Sequence, residues 1–436
     1  MSQEQHFSSL LSQRGARTAA CRDFLYDKMV QVFSNMYHPE NNPKGIVNLG
    51  TAVNSLMEEE VCQRLNRGDA FRVMAHHLHY ANFSGIDELK EAVADFLNRH
   101  FKPLEPITPA KISTMCGATG CLDGLAHVLC DSEDVVLTPT PVYSRIQTDF
   151  LDVANVKVEP LELLDEEDFE DRTFSLQPEA VERHVKELRA QGRRVRAFVL
   201  VNPQNPLGEV YSPALLTQLL NVCARNDIHF IVDEIYGLSV HDENTEFRSV
   251  LSLNLPDPKR THVIWAMSKD FGLAGLRVGV ILSQCPGVHE FFHNACLFRT
   301  IPWIVQHAGA TLLKDTVWCD EFYLPTYRRR LAHNYHMACD RLEAMGTRVR
   351  RGSAGLFIWF SVKSFLCPVT MEEEGVLLQE ILDGGLYIVQ GKVLYCTSPG
   401  WMRLVFTVTE KELDEGLDRL RAVLAARKLR LAMKEP

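Results

Sequence analysis

A single lysine, Lys269, follows a short apolar run in the stretch WAMSKDFGLAGLR, which covers residues 265–277. The run at 263–267 has the length and composition of a strand, and a turn of small residues comes after it. Arg277 follows the lysine at a distance of eight residues. An amine and a guanidinium placed in this way can hold opposite ends of one ligand, an aldehyde and a phosphate. The rest of the chain should then supply the other contacts to that ligand.

A glycine-rich turn offers a place for the phosphate. The stretch MCGATG (115–120) lies where a predicted strand passes into a helix with an apolar stripe at 122–129. The first N–H groups of a helix have no partner inside the helix, and the helix dipole favours an anion there. Gly117 and Gly120 let the backbone approach closely, and Thr119 adds a hydroxyl group. A tight turn explains these glycines equally well, and the dinucleotide pattern GxGxxG is absent from the stretch.

Two further stretches place polar residues directly after apolar strands. VNPQNPLG (201–208) has two prolines that remove backbone donors, and an asparagine held there, Asn205, can donate to a ligand oxygen. In IVDEIYGL (231–238) Asp233 ends the strand, and Tyr236 follows three residues later. Ligands of open parallel sheets bind at the carboxyl ends of the strands. A rigid turn and a turn-capping aspartate are the structural alternatives.

Together the four stretches describe one ligand with a phosphate, a basic ring nitrogen, a ring oxygen and an aldehyde. Pyridoxal 5′-phosphate carries all four groups. None of the stretches decides the cofactor alone, but their combination predicts it.

Composition narrows the class of protein. The chain of 436 residues is 46% hydrophobic, enough for a sizeable core over two domains, and its net charge of −10 argues against a nucleic-acid partner. No apolar stretch approaches the length of a membrane span, and the first residues lack the pattern of a signal peptide. The twelve cysteines have neither disulfide-framework nor zinc spacing. We therefore predict a cytoplasmic protein with free thiols, no metal site and no membrane contact.

The elements that must position these residues alternate between helix and strand through the middle of the chain, which is typical of a mostly parallel sheet covered on both faces. After about residue 305 the pattern changes, and a capping box at Thr409 precedes an amphipathic helix. We predict an α/β fold with a large, doubly wound domain at 61–304. A smaller α+β domain at 305–436 should pack with the N-terminal segment 1–60.

The order and spacing of these stretches resemble the fold-type I, class I family of pyridoxal-phosphate-dependent aminotransferases over most of the chain. Within it they are most similar to 1-aminocyclopropane-1-carboxylate (ACC) synthases, in particular to the vertebrate synthase-like proteins, which include a paralogue presumed to be inactive. The resemblance implies an amino acid substrate and a homodimer in which each subunit completes its neighbour's active site. The stretches that carry it are VNLGTAVNSL, PTPVY, VNPQNPLG, VDEIY, SKDFGLAGLR and PGWMRLVF.

The resemblance assigns roles to the residues that match the family's motifs. Lys269 matches the lysine that forms the Schiff base with the cofactor and then carries protons. Asp233 matches the carboxylate at the pyridine nitrogen, and Asn205 with Tyr236 matches the pair at the phenolic oxygen. Arg277 matches the arginine at the phosphate. The remaining cofactor contacts implied are Ala118, Thr119, Gly120, Tyr143 (stacked on the ring) and Ser268.

Two further residues match positions beside the substrate in the family, and three residues depart from the family's pattern. Arg403 matches the arginine that clamps the substrate α-carboxylate, and Ala52 is expected beside the substrate. Val53 stands where plant synthases have a glutamate that serves cyclopropane formation. Phe83 and Ala266 replace a tyrosine and a serine that contact the phosphate. Two lost neutral hydrogen bonds cost roughly 1 to 3 kcal/mol together, too little to abolish a covalent cofactor site.

These observations predict a pyridoxal-phosphate protein that acts on an amino acid, through an external aldimine if it is active, by slow transamination or β-elimination. They predict that ACC synthase activity is absent. Two alternatives stay open. A non-catalytic scaffold that keeps the fold is favoured by Phe83 and Ala266, and a genuine synthase would use S-adenosylmethionine in spite of Val53.

Overall fold

Helices and strands alternate along the middle of the chain, as the sequence predicts. The structure, a computed structural model, describes residues 10–20, 24–152, 154–163, 174–296 and 299–433. Its strands are β1 (Val47–Asn48), β2 (Ile112–Cys116), β3 (Val135–Thr140), β4 (Lys157–Glu162), β5 (Val195–Val201), β6 (His229–Asp233), β7 (Thr261–Ala266), β8 (Val278–Ser283), β9 (Arg348–Arg350), β10 (Phe357–Ser361), β11 (Leu386–Tyr387), β12 (Val389–Gln390) and β13 (Trp401–Val405). Its α-helices are α1 (Gln13–Ala20), α2 (Phe24–Phe33), α3 (Glu58–Leu65), α4 (Asp87–Phe101), α5 (Gly117–Leu129), α6 (Arg145–Leu151), α7 (Pro178–Ala190), α8 (Pro213–Arg225), α9 (Met267–Asp270), α10 (Pro286–Ala295), α11 (Trp303–Lys314), α12 (Leu324–Ala344), α13 (Met371–Asp383) and α14 (Glu410–Ala432).

The central sheet has seven strands in the order β2-β8-β7-β6-β5-β3-β4. The strands from β7 to β4 run parallel, whereas β8 is antiparallel to both of its neighbours. Every residue of β6, β7 and β8 is buried. Burial on both faces explains why these runs show no alternation of apolar and polar residues. The predicted α/β fold of type I, with a mostly parallel and doubly wound sheet, is confirmed.

The residues that could take part in chemistry lie at one edge of the central sheet. β6 ends at Asp233, β2 passes directly into α5, and β7 passes into the short helix α9 that carries Lys269. β8 runs in the opposite direction, so it begins at this same edge, directly after Arg277. Strand direction therefore brings together residues that are far apart in the sequence.

Two glycines let β8 lie directly against the start of α5. A Cβ atom at Gly279 would clash with the backbone of Gly117. Gly117 has a φ of +74°, and a Cβ atom there would clash with the guanidinium of Arg277. Larger residues would force a shift at either position, because the neighbouring atoms would be closer than van der Waals contact allows. The glycines thereby hold the first turn of α5 beside the arginine.

A four-stranded antiparallel sheet, in the order β12-β13-β10-β9, carries Arg403 on β13. β1 pairs in parallel with β11, so residues near the start of the chain pair with residues of its last quarter. This pairing agrees with an N-terminal segment that packs beside C-terminal elements. The boundaries 1–60, 61–304 and 305–436 themselves stay a prediction.

The helix start that the sequence predicts from its capping box is confirmed, because the Thr409–Glu412 capping box precedes α14. The Ser212 hydroxyl likewise accepts a hydrogen bond from the Leu215 N–H at the start of α8. The apolar run at 263–267 is divided, because β7 ends at Ala266 and α9 begins at the next residue. Among the described helices, none has the length and apolar character needed to cross a membrane.

Candidate active site

A cavity of about 510 Å³ lies between the edge of the central sheet, β13 and the segment at 50–53. Gly120 is absent from its wall, although Ala118, Thr119 and Leu122 of the same helix line it. The predicted site residues that line the cavity are Ala52, Ala118, Thr119, Tyr143, Asn205, Asp233, Tyr236, Ser268, Lys269, Arg277 and Arg403. The fold therefore brings nearly all of the predicted residues to one place.

The amine of Lys269 reaches across the cavity to the N-terminal segment. Its Nζ donates a hydrogen bond to the carbonyl oxygen of Ala52 at 2.6 Å. Burial, followed by the charges of Arg403 and Arg277, lowers the pKa of Lys269 to about 8, whereas Asp233 acts to raise it. A lysine with this pKa is uncharged for an appreciable part of the time at neutral pH, and only the uncharged amine attacks an aldehyde.

Asp233 is the last residue of β6, and Tyr236 lies in the turn that follows the strand. Burial raises the pKa of Asp233 to about 7, although the Ile235 N–H and the nearby charge of Lys269 lower it. Within the described residues no ion pair joins this buried carboxyl group to a cation, and a protonated ring nitrogen would supply one. Beside it, Asn205 Nδ2 donates to the Tyr236 hydroxyl oxygen at 3.2 Å. The pair expected at a single ligand oxygen is therefore assembled.

Arg403 spans from β13 to the central sheet. Its Nη1 donates to Asn205 Oδ1 at 3.0 Å, and its Nη2 donates to the Gly50 carbonyl oxygen at 2.9 Å. Its Nε is buried and has no hydrogen-bond partner in the described part of the chain. Burial lowers the pKa of Arg403, and no carboxylate is among the groups that oppose this effect. A buried guanidinium in this setting suits a carboxylate that a ligand brings.

The opposite end of the cavity has groups that suit a phosphate. Arg277 Nη2 lies 3.4 Å from the Cys116 carbonyl oxygen, beside the start of α5. The Ser268 hydroxyl is buried, and within the described residues it has no hydrogen-bond partner. Ala118 and Thr119 line the wall with the first turn of α5. A helix start, a guanidinium and a hydroxyl with spare hydrogen-bonding capacity together form an anion site.

Two charged residues of the cavity wall, Asp149 and Arg145, were not predicted. Both lie on α6 and form an ion pair in which Arg145 Nη2 is 2.9 Å from Asp149 Oδ1. Their spacing of four residues was the only signal in the sequence, and that spacing also suits an ordinary exposed pair on a helix.

Asp270, next to Lys269, was also missed. Its Oδ1 accepts from the Ser239 hydroxyl at 2.7 Å, and its Oδ2 accepts from Trp265 Nε1 at 3.0 Å. The Leu238 N–H approaches both oxygens, at 3.3 and 3.2 Å. These bonds fasten the turn that carries Lys269 to the turn that follows Tyr236. Asp270 is thus a positioning residue that does not itself line the cavity.

Residues 44–420 match the family described as aminotransferase class I and II. The chain belongs to that family. Similar curated proteins confirm the resemblance to ACC synthase-like proteins. The mouse ACC synthase-like protein 1 is 37% identical over 96% of this chain and 84% of its own length. The human probable inactive ACC synthase-like protein 2 is 36% identical over 92% of this chain and 71% of its own length. ACC synthase 7 of Arabidopsis thaliana is 29% identical over 90% of both chains.

Solved aminotransferases share the fold of this family member. An aspartate aminotransferase from Thermotoga maritima superposes with a TM-score of 0.76 at 20% identity, and covers 95% of this chain and 100% of its own. An aromatic aminotransferase from Pyrococcus horikoshii superposes with a TM-score of 0.72 at 23% identity, and covers 88% of this chain and 97% of its own. Pyridoxal 5′-phosphate is the cofactor that belongs to this family and fold.

The chemistry of the cavity wall fits that cofactor. The Ser268 hydroxyl and the Arg403 Nε belong to residues that line the cavity, and neither group has a hydrogen-bond partner within the described residues. The raised pKa of Asp233 and the lowered pKa of Lys269 both have burial as their largest cause. A ligand with a ring cation and an aldehyde would stabilise both groups, because the ring cation pairs with the Asp233 carboxylate and the aldehyde condenses with the Lys269 amine.

We predict that Asp233→Asn stabilises the ligand-free protein at alkaline pH. The pKa of Asp233 is about 7 in the folded chain against an ordinary value of 3.8, so folding favours the protonated form. Stability contributed by this group falls as pH rises from about 4 to about 7 and does not recover above that window. The difference between the two pKa values corresponds to at most roughly 4 kcal/mol.

Thermal unfolding of the ligand-free protein at about pH 5 and about pH 8 measures this effect. The wild type should lose more stability than Asp233→Asn between the two conditions. The exposed aspartate variant Asp95→Asn, on α4, should follow the wild type. Equal losses in the wild type and Asp233→Asn would contradict the prediction.

Proposed function

We propose that this chain attaches pyridoxal 5′-phosphate to Lys269 and uses it on an amino acid, by slow transamination or β-elimination and without ACC synthase activity. The observation that carries the proposal is the shared cavity of an amine with a lowered pKa, a buried carboxyl group and a buried guanidinium. Lys269, Asp233 and Arg403 supply these three groups. Their types match the aldehyde, the ring nitrogen and the substrate carboxylate respectively.

Each residue has one task in this proposal. Asp233 keeps the ring nitrogen protonated, and Tyr236 with Asn205 donates to the phenolic oxygen. Tyr143 stacks on the ring face. The phosphate lies on the first turn of α5 at Ala118, Thr119 and Gly120, with Ser268 and Arg277. When bound, the cofactor supplies an electron sink that stabilises negative charge on the substrate Cα.

Orientation of the substrate and transfer of its proton fall to Arg403 and Lys269. The planar guanidinium of Arg403 can bind the substrate α-carboxylate through two parallel hydrogen bonds, which fixes how Cα faces the ring. The amine of Lys269, when it is not joined to the cofactor, would be the group that moves the proton at Cα. Because its pKa is about 8, Nζ can both accept and return a proton near neutral pH.

The cavity wall at Val53 supports the absence of ACC synthase chemistry. Val53 lines the cavity and is 37% exposed to it and to solvent. A valine side chain neither accepts a proton nor binds a sulfonium group. The wall beside the substrate is therefore apolar where the resemblance predicts a carboxylate in the plant enzymes.

We expect pyridoxal 5′-phosphate to give the purified protein a visible absorbance band that depends on Lys269. Lys269→Ala should lose the band, because no amine remains in the cavity to condense with the aldehyde. Lys259→Ala, which removes an exposed lysine ten residues earlier, should keep it. An absorbance scan during titration with the cofactor measures the effect. A wild type without the band, or with a band that survives in Lys269→Ala, would reject the proposal.

A non-catalytic scaffold is the second candidate, favoured by the loss of a hydroxyl at Ala266, which is fully buried at the end of β7, and at Phe83. Both departures weaken phosphate contacts but leave the substrate side of the cavity unchanged. A panel of amino acids added to the cofactor-loaded protein distinguishes the two candidates.

We expect at least one amino acid of the panel to change the cofactor spectrum in a saturable way. Arg403→Lys should raise its half-saturating concentration by about tenfold or more, because lysine lacks the planar fork that binds a carboxylate through two bonds. Arg421→Lys, an exposed matched change on α14, should leave it unaltered. A spectrum unmoved by every amino acid would favour the scaffold.

We further propose that the chain forms a homodimer in the cytoplasm. The resemblance implies the dimer, and the stretch before Phe83 supports it, because Leu78 and Tyr80 are 76% and 90% exposed. A group of exposed large apolar side chains, which here also includes Phe71, Val73 and Met74, commonly marks an interface, whereas a single one does not. The free cysteines of the described residues agree with a reducing compartment.

The double variant Leu78→Glu/Tyr80→Glu should shift the protein towards monomer, because the new carboxylates would be buried at the interface. Leu429→Glu, which changes a leucine that is 63% exposed on α14, provides a matched control. Sedimentation velocity over a range of concentrations measures both. A wild type that is monomeric throughout, or a double variant that remains as dimeric as the wild type, would contradict the proposal.

A further inference from the structure

The phosphate end of the cavity contains a carboxyl group that the proposed function does not use. Asp149, on α6, lines the wall together with Thr119 and Arg277. Its side chain is only 1% exposed, and its Oδ1 lies 2.9 Å from Arg145 Nη2. Its Oδ2 is buried and makes no hydrogen bond with any part of the chain that the structure describes. One oxygen of a buried carboxyl group beside an anion site is thus without a hydrogen-bond partner in the described residues.

The surroundings of Asp149 act on its pKa in opposite directions. Burial is the largest effect and raises the pKa of Asp149 to about 7, while Arg145 and the Thr119 hydroxyl lower it and Asp123 raises it. Asp123, on α5, has its own partners in Arg299 and in His127 at 3.4 Å. The charged or titratable groups around Asp149 are Arg145 on its own helix, Asp123 and His127 on α5, Arg299, and Arg277 at the same end of the cavity.

A phosphate dianion on the first turn of α5 would lie next to this carboxyl group, because the Thr119 hydroxyl is close to both. Ionised Asp149 would repel the dianion, and the low dielectric of the cavity strengthens that repulsion. A protonated carboxyl group has the opposite effect, since its O–H is a donor that a phosphate oxygen accepts. The phosphate therefore favours the protonated form of Asp149.

We propose that Asp149 takes up a proton from solvent when this cavity binds a phosphate dianion, and that the carboxyl group then donates a hydrogen bond from Oδ2 to a phosphate oxygen. The inference rests on the proposed placement of the cofactor phosphate. Asp149 acts as a proton-linked phosphate ligand, and Arg145 becomes available to neutralise the same anion. The alternative is that Asp149 stays ionised as the counter-ion of Arg145, in which case phosphate binding takes up no proton at this residue.

The consequence is a pH dependence that only the phosphate-bearing cofactor shows. Pyridoxal lacks the phosphate but shares the aldehyde and the ring nitrogen, so proton exchange at Lys269 and Asp233 is common to both ligands. The ratio of the association constant of pyridoxal 5′-phosphate to that of pyridoxal therefore reports on the phosphate end alone. It should fall as pH rises above about 7, by up to about tenfold per pH unit if one full proton is taken up.

Equilibrium binding of pyridoxal 5′-phosphate and of pyridoxal at about pH 6.5, 7.5 and 8.5 tests the inference. The wild type and the Asp95→Asn control should show the falling ratio, and Asp149→Asn should show a flatter one. Calorimetry in buffers of different ionisation enthalpy should count more protons taken up with the phosphate than without it, by up to one. This excess should disappear in Asp149→Asn.

Two results would overturn the inference. One is a ratio that does not change with pH in the wild type, and the other is an unchanged pH dependence in Asp149→Asn. If Asp149→Asn does not fold, phosphorus NMR of the wild-type complex decides, because the bound phosphate should remain a dianion across the range in which the proton is taken up. Failure of the proposed function looks different, since then neither ligand gives a Lys269-dependent band.

Discussion

Charge that no ion pair within the described residues neutralises, at the carboxyl edge of the central sheet, is the constraint on which the site depends. The buried Arg403 and Asp233, the partly buried Lys269 and the exposed Arg277 face one cavity, and within the described structure no ion pair joins these four side chains. Burying charges without close partners destabilises a fold by several kcal/mol. A ligand with a phosphate, a carboxylate and a ring cation offsets each of these charges. The fold therefore keeps an arrangement that is costly when empty and favourable when such a ligand is bound.

The rigid surroundings keep these charges apart. Ala52 accepts a hydrogen bond from Lys269 Nζ, and Asn54 Nδ2 donates to the Lys269 carbonyl oxygen at 2.8 Å, so the N-terminal segment holds the lysine from both sides. Gly50 holds Arg403 in the same way through its carbonyl oxygen. Asp270 fixes the turn that carries Lys269 through hydrogen bonds with Ser239 and Trp265. Backbone carbonyls stabilise the cations without cancelling their charge, which leaves the cations available to a ligand.

The sequence predicts those features that depend on local pattern. Apolar runs mark the strands, and polar residues that follow them, such as Asp233 and Lys269, must lie at the carboxyl edge. Strand direction has no such mark, so the run at 278–282 does not reveal that β8 is antiparallel. Asp149 is missed for a related reason. α6 is only seven residues long, and the burial of Asp149 arises from packing against α5, which no pattern in either segment records.

The departures from the family act at two ends of the cavity with different physical consequences. Ala266 lacks the hydroxyl that the resemblance implies at the phosphate, and within the described residues Phe83 lies outside the wall of the cavity. Neutral hydrogen bonds lost there weaken cofactor affinity by a bounded amount. Val53 instead stands in the cavity wall at the position where the resemblance implies a proton acceptor in the plant synthases. Retention of the cofactor and loss of one particular reaction therefore have separate physical causes, and a chain of this family can have one without the other.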